Sequence, residues 1–101
     1  MHDWYILDEN GRPVKSSMFQ YSEWRAQNTN ANRVGHDAVG AAEISTVFLG
    51  LNHRWDEGPP LLWETMVFGG PLDHKQDRCS GSREQAEEMH RRMVERVKQL
   101  Q

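Results

Sequence analysis

Cysteine is nearly absent from this chain of 101 residues, in which Cys79 is the only one. A disulfide within the chain is therefore excluded, and a lone cysteine in a small protein is typical of a reducing cytosol. No run approaches the roughly 18 apolar residues of a membrane-spanning helix. The first residues also lack the basic and apolar regions of a secretory signal. These absences predict a small cytoplasmic protein with no membrane partner.

The chain also lacks a strong excess of either charge. Twelve lysine and arginine residues stand against fifteen aspartate and glutamate residues, for a formal net charge of −3 at pH 7. Nucleic-acid binding needs clustered basic residues that displace counterions, so nucleic acid is not expected as a partner. The glycines match no phosphate-binding loop, and no histidine or cysteine spacing matches a metal signature. We therefore expect no cofactor and no metal site.

Short runs of β-branched and aromatic residues, separated by glycine and proline, predict a series of strands. In chain order they cover 4–7, 13–14, 33–39, 43–52, 61–68 and 74–79. Asn10-Gly11 is a strong signal for a type I′ hairpin turn between the first two. Residues 16–28 predict a short helix that Ser16 or Ser17 caps. Residues 82–100 predict a longer amphipathic helix, which opens with a capping box of Ser82 and Gln85.

These elements predict one domain over residues 1–101 and the α+β class. Short connections favour an antiparallel sheet of about four strands, packed against the long C-terminal helix and the shorter N-terminal helix. The strands at 43–52 and 61–68 are apolar on both faces, which predicts that both faces of the sheet are covered. Two helices are few for that task, so we expect one face to meet a partner protein or a second copy of the chain.

Glu64 is the one carboxylate in the apolar stretch GPPLLWETMVFGG, residues 58–70. Because side chains alternate along a strand, Glu64 shares a face with Met66 and Phe68. In one interpretation it lies at the rim of a covered face and pairs with an arginine or lysine. In a second it is desolvated and serves as a general base or metal ligand. In a third it is a polar residue of a protein interface.

An exposed tryptophan is a typical interface anchor, and Trp55 is expected to be exposed because it lies in a polar loop next to two prolines. With Trp63, Glu64, Met66 and Phe68 it makes up the predicted binding set. No catalytic signature is present. If the chain is nevertheless a small hydrolase or metal-dependent enzyme, Glu64 would act with a histidine such as His53.

Two further residues have structural interpretations. His90 falls on the apolar stripe of the C-terminal helix, where a hydrogen-bonded core histidine is the usual finding. Cys79 has no histidine or aspartate at a catalytic spacing, and is expected to be a packing residue.

Residues 45–70, STVFLGLNHRWDEGPPLLWETMVFGG, resemble a set of small uncharacterised proteins of bacteriophages and prophages. Their shared core resembles an STVFLGL strand, a GPPLL-x-ETM-x-FGG strand and a C-terminal helix, which opens here as SREQAEEMH. The resemblance covers residues 43–97 and implies a phage-encoded accessory protein in a bacterial cytoplasm. It implies no activity, cofactor or catalytic residue.

The leading prediction is a noncatalytic protein that binds a host or phage protein. Inhibition of a host defence system such as CRISPR is one concrete form of this role. A small enzyme using Glu64 and His53, a virion assembly factor and a homodimer stay open as alternatives.

Overall fold

The computed structural model describes residues 3–28, 30, 32–54 and 56–100. The elements in chain order are β1 Trp4–Leu7, β2 Pro13–Ser16, α1 Met18–Gln27, β3 Arg33–Val39, β4 Ala42–Phe48, β5 Trp63–Phe68, β6 Gln76–Cys79 and α2 Arg83–Gln99. The class is α+β, as predicted from the sequence. Neither helix of the described chain has the length and apolar content that crossing a bilayer requires.

The four later strands form one antiparallel sheet in the order β3-β4-β5-β6. The first two strands form a separate antiparallel hairpin. Tyr5 joins this hairpin to the rest of the fold, because its backbone N–H donates to Gly50 O at 2.6 Å. The sheet of about four strands is therefore confirmed, and the N-terminal hairpin lies beside it as a second, smaller sheet.

The turn between β1 and β2 is not the type that Asn10-Gly11 predicts. Only Gly11 has a positive φ, at 75°, whereas a type I′ turn requires positive φ at both residues. The backbone N–H of Asp8 donates to Arg12 O at 2.9 Å, which closes a longer loop. The Asp8 carboxylate stabilises that loop by accepting from the N–H groups of Asn10 and Arg12. The hairpin is confirmed and the turn type was wrong.

Both helices begin at the predicted serines. Ser17 Oγ accepts from the Gln20 N–H, and the Gln20 side chain accepts from the Ser17 N–H, so α1 opens with a full capping box. At α2, Ser82 Oγ accepts from the Gln85 N–H at 3.4 Å. The Gln85 side-chain oxygen lies against Gly81 and does not accept from the Ser82 backbone N–H. Only the first of the two hydrogen bonds of the predicted capping box is therefore formed.

The core lies between α2 and one face of the four-stranded sheet, which we call the helix face. Register and alternation place on it the seven buried side chains Ala42, Ile44, Thr46, Phe48, Trp63, Thr65 and Val67. The helix contributes Ala86, His90, Met93 and Val97 from one stripe. Because these four positions recur at helical spacing, the single apolar stripe of α2 is enough to cover this face.

A row of aromatic rings connects the N-terminal elements to the core. Ring centroids lie 4.9 Å apart for Trp4 and Tyr21, 5.8 Å for Trp24 and Phe48, and 4.9 Å for Phe48 and Trp63. Aromatic pairs at these separations attract one another beyond the effect of area burial alone. The shorter helix α1 has no fully buried residue, so these rings hold it against the fold.

Gly50→Ala is expected to lower the free energy of unfolding by about 2 kcal/mol. Gly50 has a φ of 79°, and an added Cβ would lie 2.0 Å from Tyr21 Cε1, so the ring and α1 would have to move. Urea unfolding followed by circular dichroism measures the change. Gly11→Ala is the matched control, since Gly11 has a φ of 75° but no atom within 4 Å of an added Cβ. Equal losses would show that the Tyr21 contact contributes nothing.

The second face of the four-stranded sheet has no helix on it in the described chain, and we call it the open face. The helix α2 packs on the opposite face of this sheet, and α1 packs on β1 of the N-terminal hairpin. The prediction that both faces are covered is therefore not met within a single chain. Two helices were expected to be too few, and coverage of the remaining face by a partner or a second copy stays a prediction.

Candidate binding face

Eleven side chains from four strands make up the open face. They are Arg33, His36 and Ala38 from β3, Glu43, Ser45 and Val47 from β4, Glu64, Met66 and Phe68 from β5, and Gln76 and Arg78 from β6. Three of the five residues predicted for binding, Glu64, Met66 and Phe68, lie on this face together. The sheet brings them to one surface because they alternate along β5.

An apolar stripe crosses the two central strands of the open face. It consists of Val47, Met66 and Phe68. Val47 lies in register with Glu64, so Met66, two residues further along β5, is its diagonal neighbour. Phe68 follows after two more residues and is 47% exposed, while Val47 and Met66 are half-buried. An apolar stripe of this kind, with a half-exposed aromatic side chain, is characteristic of interaction surfaces.

Glu64 forms an ion pair with an arginine of the neighbouring strand. Arg78 Nε donates to Glu64 Oε2 at 2.8 Å, and the two residues lie directly opposite each other in the sheet. The Glu64 side chain is 14% exposed. This geometry matches the interpretation from the sequence in which Glu64 pairs with an arginine or lysine.

A second carboxylate of the open face, Glu43, lies near a histidine further along the strands. Glu43 Oε2 is 3.9 Å from His36 Nε2, and both side chains are well exposed. Glu43 lies in register with Phe68, so this pair flanks the apolar stripe at the end opposite the Glu64–Arg78 pair. The stripe therefore has charged groups at both ends.

Trp63 belongs to the helix face and to the core. Its side chain is fully buried, and its indole N–H donates to Gly81 O at 2.8 Å. A side chain buried in this way cannot contact a partner in this fold, so Trp63 is not part of the open face. Alternation had already placed it opposite Glu64, but only the position of α2 decides which side is buried. Trp55 lies outside the described residues.

A cleft of about 630 Å³ lies beside β6 and α2, and Glu64 is not among its lining residues. Its charged wall consists of Arg54, Arg78, Glu84, Glu88 and Arg92. Within the described chain no group of three or more histidine, cysteine, aspartate or glutamate side chains is placed to hold a metal ion. His53 lies beyond β4, where its backbone N–H donates to Leu61 O at 3.2 Å.

Cys79 lines the same cleft and is partly buried. Burial raises the pKa of its thiol above the ordinary value, and a hydrogen bond with the backbone of Gly81 only partly opposes this. The thiolate is the reactive form of cysteine, so a raised pKa makes Cys79 a poor nucleophile at neutral pH. This environment agrees with the packing role predicted from the sequence.

Glu64→Gln is expected to lower the free energy of unfolding by about 1 kcal/mol, because it removes one partly buried ion pair with Arg78. Glu43→Gln, on the same face but more exposed, is expected to change stability by less than about 0.5 kcal/mol. Chemical denaturation of the two variants measures both values. A gain in stability for Glu64→Gln would instead indicate a carboxylate held for chemistry at a cost to folding.

Between α2 and the helix face, four polar side chains form a continuous hydrogen-bonded chain. Local sequence patterns did not reveal it. Asp37 Oδ2 lies 2.6 Å from His90 Nε2, and His90 Nδ1 lies 2.7 Å from Thr46 Oγ1. Thr46 Oγ1 is in turn 2.5 Å from Thr65 Oγ1. The prediction that His90 is a hydrogen-bonded core histidine is confirmed.

Gly35 makes room for this imidazole, because an added Cβ there would lie 2.9 Å from the His90 ring. Gly35 lies in register with Thr46, and Thr46 with Thr65, so one row across the sheet supplies both the space and the two hydroxyl groups. The row could be recognised only from the strand register, which the sequence does not give.

The order hydroxyl, imidazole and carboxylate is also that of a nucleophilic triad. Thr46, however, is fully buried under α2, so its hydroxyl cannot reach a substrate. The network is satisfied if His90 donates from Nε2 to Asp37 and accepts at Nδ1 from Thr46, while Thr46 accepts from Thr65. No buried side-chain polar atom of the described residues lacks a partner. We therefore assign this network to the stability and uniqueness of the core.

Comparisons with known proteins add no family to this picture. The chain matches no protein-family model, no curated protein and no solved structure. The resemblance of residues 45–70 to phage proteins stays a prediction.

Proposed function

We propose that this protein is a noncatalytic binding protein that acts by protein–protein contact through the open face. The observation that carries the proposal is the apolar stripe of Val47, Met66 and Phe68 on a sheet face that no helix covers in the described chain. Burial of this stripe by another protein would remove a half-exposed phenylalanine from water, which favours association.

The charged groups of the open face suit it for burial against a protein. The Glu64 carboxylate is already bonded to Arg78, and Glu43 lies near His36. A charge that already has a partner costs less to remove from water than an isolated one. A partner could therefore cover the apolar stripe and leave these charges at the polar rim that surrounds the core of most interfaces.

The biological setting of this proposal comes from the resemblance to phage proteins. The resemblance implies a phage-encoded protein in a bacterial cytoplasm, and the partner proposed on that basis is a host or phage protein. Inhibition of a host defence system such as CRISPR is one form that this binding would take. Only identification of the partner tests that form of the proposal.

Site-specific photo-crosslinking tests the binding role directly. The photoreactive residue p-benzoylphenylalanine replaces Phe68 in one sample and Phe19 in another, and each protein is irradiated in bacterial cells. Phe19 is the matched control, because it is the same residue type, lies on α1 and is 77% exposed. We expect a discrete protein adduct from position 68 and none from position 19. The absence of an adduct at position 68, or equal adducts at both, would refute the proposal.

A further inference from the structure

We propose that the free edge of β6 binds an extended segment of another protein, which joins the sheet as an additional strand. The order β3-β4-β5-β6 leaves β6 with one hydrogen-bonded neighbour, β5. This site uses the backbone at the edge of the sheet and not the apolar stripe of the open face. It therefore goes beyond the proposed function, and either one can fail without the other.

The backbone groups of two β6 residues point out of the sheet. The carbonyl groups of Lys75 and Cys79 point towards β5, where they accept from N–H groups at 3.0 and 3.1 Å. Because the direction alternates along an antiparallel strand, the N–H and C=O groups of Gln76 and Arg78 point away from β5. Among the described residues, no further backbone hydrogen bond engages these groups. They are free to pair with an added strand.

The cleft of about 630 Å³ lies along this edge. It touches Arg78, whose side chain points to the open face, and also Cys79, whose side chain points to the helix face. Its other wall is the flank of α2 from Glu84 to Arg92. That stretch of helix rises about 12 Å, which is close to the length of a strand of about four residues. The cleft therefore has the position and the length for a short added strand.

The charges of β6 disfavour a second copy of the chain as the occupant. Two-fold pairing of β6 with itself centred on Asp77 would set that carboxylate directly opposite its own copy. Pairing centred on Arg78 would do the same to two guanidinium groups. Like charges directly opposite each other destabilise a strand pair. The occupant that fits the edge is therefore a segment of a different protein.

The side chains around the edge define which segment fits. Arg78 donates from Nε to Glu64, and no hydrogen bond of the described chain engages its terminal nitrogens. An acidic residue directly opposite Arg78 would share its face and could accept from them. The adjacent residue of the segment would point to the other face, beside Cys79, Met89 and Leu61 of the cleft. The favoured segment thus has an acidic residue next to an apolar one.

Selection from a display library of random heptapeptides, carried out on the full chain, tests this inference. We expect the wild type to enrich peptides in which an acidic residue adjoins an apolar one. A synthetic copy of an enriched peptide then serves as the probe in binding titrations with two variants at position 76.

Gln76→Pro removes the outward N–H, and an edge strand tolerates it because that N–H makes no bond to β5. We expect it to weaken binding of the probe by at least about tenfold. Gln76→Ala is the matched control, since it also removes the side chain but keeps the N–H. It is expected to bind within about threefold of the wild type. Circular dichroism verifies that both variants are folded.

Nitrogen–proton NMR of the wild type shows where the probe binds, even if Gln76→Pro does not fold. We expect the amide signals of Gln76 and Arg78 to shift, while those of β3, the other edge strand, stay constant. The inference is overturned if no peptide is enriched, if the probe binds Gln76→Pro as tightly as the wild type, or if only open-face signals such as Phe68 shift. The same amide shifts on concentrating the protein alone would instead identify a second copy as the occupant.

Discussion

Trp63→Ala is expected to lower the free energy of unfolding by about 3–5 kcal/mol. Trp63 is the largest fully buried side chain, and its ring centroid lies 4.9 Å from that of Phe48. The substitution leaves a cavity between β5 and α2 and deprives Gly81 O of its indole donor. A domain of this size is stable by only about 5–15 kcal/mol, so the loss is a large share of the total.

Urea unfolding of Trp63→Ala and Trp63→Phe measures this effect. Trp63→Phe keeps an aromatic ring in the core and loses chiefly the hydrogen bond to Gly81, so it is expected to cost less than half as much. An alanine variant within about 1 kcal/mol of the wild type would contradict the buried position of Trp63. It would also restore Trp63 as a candidate for contact with a partner.

His90→Ala is expected to lower the free energy of unfolding by about 3 kcal/mol. The change opens a cavity over Gly35 and leaves the buried Thr46 hydroxyl without its imidazole partner. It also frees the Asp37 carboxylate, but that side chain is 55% exposed and water replaces the lost bond at little cost. The main loss therefore comes from the buried end of the network.

A double-mutant cycle with Thr46→Val isolates the contribution of the network. If the Thr46–His90 hydrogen bond is present, the combined variant is expected to lose at least about 1 kcal/mol less than the sum of the single variants. Additivity within about 0.5 kcal/mol would show that the two residues do not interact. Asp37→Asn, at the exposed end, is expected to cost less than about 1 kcal/mol.

Local sequence patterns were sufficient to predict most of the secondary structure. The serine cap and the apolar stripe predicted a helix at 82–100, and α2 spans Arg83–Gln99. The β-branched run predicted a strand at 43–52, but β4 ends at Phe48. The chain turns soon afterwards at Gly50, where φ is 79°. Apolar composition continues through this turn, so it could not indicate where the strand stops.

The positions of the candidate residues depended on longer-range information. Alternation correctly grouped Glu64, Met66 and Phe68 on one face, and the ion pair of Glu64 was among the interpretations open from the sequence. Alternation could not show which face α2 covers, because both faces of β5 are apolar. Trp63 was for that reason assigned to binding although it lies in the core.

The buried polar network was beyond local patterns for a related reason. His90 and Asp37 are separated by 53 positions in the chain and meet only when α2 lies across β3. The register that sets Thr46 beside Gly35 follows a β-bulge between Arg33 and Gly35. A bulge shifts pairing by one residue, and no residue type in RVGHDAV signals it unambiguously.

The methyl signal of Met66 in a carbon–proton NMR spectrum tests the central claim, contact through the open face, most directly. Spectra are recorded on dilute protein, on concentrated protein and after addition of bacterial lysate. Met18, exposed on α1, and Met93, buried under α2, serve as internal references. We predict that the Met66 signal shifts or broadens in the concentrated sample or in the sample with lysate, while the references stay constant. A Met66 signal that is unchanged in all three samples would contradict contact through the open face.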